Sequence, residues 1–456
     1  MTISSSSALG PTVASVPVHN GTTAMPSTAP TGSSSGASAS SVAAPAPSVI
    51  VTLSGASTAP AAIVYGLPPI KAAPVWQDAS VAIKTASGRT VTLSLQSDDG
   101  SIDIQTDGDA PLSDAENAAV AKLSAAFVSA LEGMASAPPH LDLTGLAQVD
   151  TSVLSSVHLS AKATNSNQAI QTIDFTADAK SRAVKIDGPG GKLDVSVDLS
   201  NPAITGSKAQ QAAAIDNYLK QFEQAASRGH ASPLLMSLFE DAFTQMNAPA
   251  GLDTPNTVRS SSSLTDMDHA LLSGLGDFSA SITQTATASN PYRAGEHDGF
   301  SFQVSQTTRM SGRNASERGI SQTSSSQLHA SFHSALSPDA PLNLTDDPKS
   351  QNYYYSQIDD SAQSNVSIGY QKGRLMQATV SRTASQSTER LKYVMGQKVE
   401  DVTTPLQKSQ QRDLLPLLTQ MERHPPQTTR ERDERTRALA QIHDSLGLQT
   451  DPVALG

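Results

Sequence analysis

Between positions 81 and 395 apolar side chains recur at every second residue in short bursts, and that period constrains the fold more than any other feature of the chain. Successive side chains of a strand point to opposite faces, so a period of two marks half-buried β-strand where a helix would need 3.6. Val81 and Ile83, then Val91, Leu93 and Leu95, then Ile102 and Ile104 follow this rule, with breaks at Ser87-Gly88 and Asp98-Asp99-Gly100. Glycine and aspartate are reversal residues, so these three runs predict a meander. A second group predicts strands over 153–163, 169–177, 183–186 and 193–199, the last two joined by Asp187-Gly188-Pro189-Gly190-Gly191. The third group is more polar: Phe278, Ala280 and Ile282; Phe300, Phe302 and Val304; Leu328 and Phe332; Val366, Ile368 and Tyr370; Met376, Ala378 and Val380; Leu391, Tyr393 and Met395. Serine, threonine and glutamine fill the places between, as in antiparallel strands with one wet face, and Gln371-Lys372-Gly373-Arg374 supplies a hairpin.

An apolar sheet face needs cover, and three segments carry helical spacing to supply it. Ser113 stands three residues before Glu116, the capping-box spacing, and Val120, Leu123, Phe127, Leu131 and Met134 follow on one face up to Pro138-Pro139. Lys208 to Ser227 places Ile215, Leu219 and Phe222 together, and Pro233 to Met246 does the same for Leu235, Leu238, Phe239 and Phe243. Helix is also expected from Gln407 onward: first around Leu414, Leu415, Leu417 and Leu418 with Pro416 interrupting, then from Thr429 to Leu446. In that last segment Glu431/Arg435 and Asp433/Arg437 are spaced by four, and Leu439, Ile442 and Leu446 form a stripe. The predicted class is α+β: antiparallel β-meander sheets with a small helical layer, a long disordered N-terminal arm and a helical C-terminal tail. The predicted organisation is an arm over 1–77, an α+β region over 78–246, a Pro/Gly/Ser-rich connection over 247–263, a β-rich region over 264–404 and a helical tail over 405–456. Whether the two β regions share one sheet is open at this level.

The first 77 residues are rich in Ser, Ala, Thr and Pro with no charge before Lys71, and such a tract has too little apolar surface to offset its ordering entropy. This tract helps hold the whole chain to 38% hydrophobic and 4% aromatic residues. In composition it is similar to the uncleaved, Ser/Thr-rich arms of bacterial type III and flagellar secretion substrates, a resemblance that implies export without a cleaved signal; a cytoplasmic location is the alternative. The start has neither a basic n-region nor a hydrophobic h-region, and no transmembrane segment is expected. A net charge of −11 argues against nucleic acid or anionic lipid as partner, since both need clustered Lys and Arg. The absence of cysteine removes disulfides, thiolate nucleophiles and thiolate metal ligands.

Motifs with catalytic or ligand-binding precedent lack their context. Gly32-Ser33-Ser34-Ser35-Gly36 matches the nucleophile-elbow string but sits in low complexity, with no strand before it or helix after it. Gly188-Pro189-Gly190-Gly191 leads into a strand, so no helix N-terminus would face a pyrophosphate, and no cofactor is expected. Asp103, Gln105, Asp107, Asp109 and Asp114 have the spacing of a calcium loop, but Pro111 at the ninth position and the short Asp114 at the twelfth depart from it. His329 and His333 are four apart with no following glutamate; on a strand that spacing is about 13 Å, too far to share one ion. Tyr353, Tyr354 and Tyr355 form the aromatic cluster of the chain, with rings sent to both faces of a strand, one into a core and the other toward a contact surface. Trp76 is expected to anchor the first strand. These readings favour a non-enzymatic structural or interaction protein whose partner meets the sheet surface or the C-terminal helix. The alternatives are a hydrolase built from two distant carboxylates and a carrier with an apolar ligand inside a curved sheet.

Overall fold

The computed structural model describes residues 76–96, 101–107, 111–164, 170–249, 264–339 and 341–455. The expected arm, apart from Trp76 and Gln77, and the connection beyond residue 249 lie outside the described residues. The chain enters as β1 (Trp76–Thr85), β2 (Thr90–Leu95) and β3 (Ile102–Thr106), then forms α1 (Asp114–Ala135) and the single turn α2 (Thr144–Ala147). It resumes as β4 (Leu154–Thr164), β5 (Ile170–Asp178), β6 (Ser181–Gly188) and β7 (Gly191–Asp198), followed by α3 (Lys208–Gly229), α4 (Pro233–Asn247) and α5 (Asp266–Leu271). The last strands are β8 (Asp277–Gln284), β9 (Gly299–Ser311), β10 (Gly319–Ala335), β11 (Tyr353–Gln371), β12 (Arg374–Val394) and β13 (Gln397–Asp413), and α6 (Leu415–Arg423) and α7 (Thr429–Asp444) follow.

These strands make one antiparallel sheet in the order β13-β12-β11-β10-β9-β8-β7-β6-β5-β4-β1-β2-β3. The two β regions therefore join, through the β7–β8 pair that matches Val195 with Ala280 and Val197 with Phe278. Nearly every strand lies beside its neighbour in sequence, which is what short reversals between alternating runs produce. The helices gather on one face. Phe222 of α3 meets Phe239 and Phe243 of α4 and Phe302 of β9 with ring centroids 4.9–5.6 Å apart, and all four are fully buried. Trp76 anchors β1 by donating its indole N–H to Leu131 O at 3.3 Å across to α1. Beyond this main core, Met267 and Leu271 of α5 and Leu439 and Ile442 of α7 cover Ile320, Val366 and Val380.

Local chemistry sets the helix starts. Capping boxes close at Ser113/Glu116, Ser207/Gln210, Thr265/Asp268 and Thr428/Glu431. Ser87 and Ser113 hydrogen-bond the Glu116 carboxylate and lower its pKa to about 2. Two expectations about the tail change. Residues 405–413 continue β13, so helix starts at Leu415; and Pro416 opens α6 in its first turn, where the missing N–H is harmless, without interrupting it.

Among the described residues, the other face of β8–β13 carries no helix. In register, Ser281, Gln303, Gln327, Ser361, Ser385 and Gln407 form one row across six strands, and Ser279, Ser305, Ser325, Gln363, Thr383 and Ser409 form the next. Hydrogen bonds run along these rows, among them Ser305–Ser325 at 3.2 Å and Thr383–Ser409 at 3.1 Å.

Candidate functional site

At one end of this open face the β8–β9 connection folds back and buries a charged cluster. His333 lies on β10 with the parity of Ser331, so its ring faces the polar side, yet its side chain is 0% exposed. Nδ1 lies 2.6 Å from Asp298 Oδ1 and Nε2 lies 3.0 Å from Glu296 Oε2. Both carboxylates come from the connection, which is held in place by a bridge between Thr287 and Asp298. Asp298 also accepts the His333 backbone N–H at 2.9 Å and the Ser289 hydroxyl at 2.6 Å. Tyr353 donates to Glu296 Oε2 at 2.7 Å and accepts from Asn290 Nδ2 at 3.0 Å. Its ring stacks on Tyr393 at 4.8 Å, and the Arg293 guanidinium sits 4.2 Å above the Tyr393 ring while Nη2 donates to Gly396 O at 2.9 Å.

The electrostatics follow from this packing. Burial alone would lower the His333 pKa, but hydrogen bonds and charge from Asp298 and Glu296 outweigh it and raise the value to about 9. Burial likewise works to raise the two carboxylates, and bonding to His333, with Tyr353 for Glu296 and Ser289 for Asp298, leaves both below their ordinary values. Burial and the Glu296 charge push Tyr353 and Tyr393 upward. At neutral pH the cluster is two cations, His333 and Arg293, against two anions. An imidazolium donating through both nitrogens has no lone pair for a metal or a proton, and two low-pKa carboxylates are poor acids. Its chemistry is that of a fastener pinning the connection to the sheet.

The candidates from sequence fall out as follows. Tyr353 and Tyr355 enter this cluster, with the Tyr355 hydroxyl donating to His297 O at 3.2 Å. Tyr354 points to the opposite face, where Arg390 lies 4.9 Å and Lys392 5.7 Å from its ring centroid. His329 stays on the surface beside Asp359 at 3.3 Å, apart from His333. Asp103 lies in β3 and accepts from Gln105 at 3.0 Å, Asp107 follows that strand, and Asp114 opens α1; Asp109 is outside the described residues. Among the described residues no three His, Asp or Glu side chains converge on an ion site. Glu296, Asp298, Asn290 and Arg293 escaped sequence reasoning because their partners are 35 to 103 residues away, and no local spacing signals such a set.

Two further ion pairs, one buried and one part-buried, fasten helices to the sheet. Arg318 pairs with Asp268, whose other oxygen accepts from Tyr370 at 2.8 Å, and Arg228 pairs with Asp360 while reaching Thr388 at 3.0 Å. The voids beside these helices are small: one of about 40 Å³ is lined by Tyr218, Gln322, Ser324 and His443, another of about 40 Å³ by Arg228, Asp360 and Gln386. An open cleft of about 550 Å³ between α1 and the β4–β6 end is lined by Lys122, Asp150, Asp178 and Arg182. No protein-family model, no curated protein and no solved structure matches the chain.

Proposed function

We propose that the chain is a non-enzymatic interaction protein that meets its partner with the open face of β8–β13. One observation carries this reading: two neighbouring rows of Ser, Thr and Gln run uncharged across six strands, roughly 24 Å wide at the usual strand spacing, with the His329–Asp359 pair in the row beside them. Such a face offers hydroxyl and amide donors and acceptors at regular intervals, chemistry suited to a partner recognised by hydrogen bonds. A carboxylate hydrolase finds less support at this cluster, because Glu296 and Asp298 are engaged by His333 and held low, whereas such an enzyme needs one carboxyl raised. The carrier finds less support too, since the voids between helices and sheet, of about 40 Å³, take one or two waters and not a ligand, and the cleft of about 550 Å³ is open and carries Lys122, Asp150, Asp178 and Arg182. Export without a cleaved signal belongs to the same proposal, and a fusion of residues 1–77 to a reporter that never leaves the cell would remove it.

The cysteine-free chain makes the test clean. Ser325→Cys and Gln363→Cys, each carrying a photocrosslinker, are expected to capture a defined partner in the producing cell, while Arg432→Cys on exposed α7 is not. Capture from α7 alone, or from none of the three, would overturn the proposal.

A further inference from the structure

The sheet has two unlike edges. β3 is five residues long, whereas β13 has seventeen, and all of them but Glu400 and Gln410 are exposed. Natural free edges are short, because unpaired backbone groups recruit other strands. Leu414, one step past the Thr379–Asp413 pair, donates its N–H to Ala378 O at 2.8 Å. Backbone direction alternates along a strand, so even-numbered residues from 400 to 412 face β12 and odd-numbered ones from 401 to 411 turn their N–H and C=O outward. Val402 and Leu406 are also left 42% and 39% exposed on the face shared with Gln386 and Thr388. Lys408 has no ion-pair partner among the described residues.

We propose that the partner of this edge is a second copy of the chain, its β13 running antiparallel about a two-fold axis at Thr404. Positions equidistant from Thr404 are complementary: Val402 meets Leu406, and Glu400 meets Lys408, each twice. Neighbouring registers are worse. An axis at Thr403 sets Lys398 against Lys408, an axis at Pro405 sets it against Arg412, and an axis at Leu406, while it sets Glu400 against Arg412, separates Val402 from Leu406. Pro405 faces outward without an N–H, so two ladder bonds beside the axis are missing and the pairing is of moderate strength. This surface is distinct from the open face assigned to the partner above.

Sedimentation of the full chain at about 50 µM, a concentration suited to a micromolar dimer, is expected to give twice the 47.4 kDa of one copy. Lys408→Glu and Glu400→Lys each create like-charge pairs and are expected to weaken the dimer by about tenfold or more, while the double reversal restores it. Pro405→Thr supplies the missing donors and tightens it. Both charged side chains lie on a strand outside the core, and an unchanged circular dichroism spectrum verifies the fold of each variant. A wild-type monomer at this concentration overturns the proposal, and so does a dimer indifferent to both single reversals or one that the double reversal fails to restore.

Discussion

His333 and His329 sit on one strand with the same parity, and everything that separates them comes from elsewhere in the chain. Replacing His333 with Gln leaves Asp298 and Glu296 facing each other without the cation between them, and removing one partner of a buried ion pair costs about 3–5 kcal/mol. His329→Gln, at the surface, is expected to change stability by less than about 0.5 kcal/mol. Chemical denaturation of both variants at pH 7 checks the contrast. The pH dependence has a definite sign. Because the folded His333 pKa of about 9 exceeds its ordinary 6.5, the stability it contributes is complete below 6.5 and drains away as pH rises through 9. Glu296 and Asp298 are lowered, so their contribution is complete above their ordinary values near 4 and is lost as pH falls through the folded ones. Wild-type stability minus that of His333→Gln is therefore expected to peak near pH 5–6.5; a difference that grows toward pH 9 would contradict the cluster's charge state. Sequence pointed to Tyr353 and Tyr355 as a cluster but not to what they contact, because periodicity reports which face a side chain takes and not which loop folds over that face.

Elements were more legible than sites. Period two gave the strands of both β groups, and the Ser113/Glu116 spacing gave the start of α1, because each is a property of neighbouring residues. The apolar positions mark only part of the far strands. β10 runs to seventeen residues and β11 to nineteen, yet Gln306, Gln322, Ser324, Ser326 and Ser364 occupy core-facing positions and erase the alternation that marks them. These polar groups are buried with partners: the Tyr218 hydroxyl donates to Gln306 Oε1 at 3.4 Å and accepts from the Ser324 hydroxyl at 3.3 Å, and Gln306 donates to Gly276 O at 3.1 Å. The helical tail starts later than its pattern predicts, at Leu415, for a related reason, since β13 has no buried face to alternate against. At this scale the helical cover is tested by Phe222→Ala, which removes a ring packed among Phe239, Phe243 and Phe302 and is expected to cost about 3–5 kcal/mol in denaturant unfolding. A loss under about 1 kcal/mol would mean that α3 is not seated on the sheet as described.

Across the whole molecule, the C-terminal segment closes the cover that the helices begin. Leu448 and Leu455 belong to the main core, Thr450 O accepts from Gln386 of β12 at 3.2 Å, and the Thr450 hydroxyl donates to Gln224 of α3 at 3.1 Å. Ending the chain at residue 446 removes two buried leucines, each worth about 1.5–3 kcal/mol, so a loss of about 3–6 kcal/mol is expected by thermal or chemical unfolding. An unchanged midpoint would show the segment to be dispensable. The difference in length between the two borders of the sheet sets how far assembly goes. Among the described residues, two copies joined along their seventeen-residue borders leave outermost only the five-residue β3 of each, too brief a template to recruit a third molecule. Growth is thereby self-limiting, and this sheet, unlike a fibre, runs out of places to add the next chain.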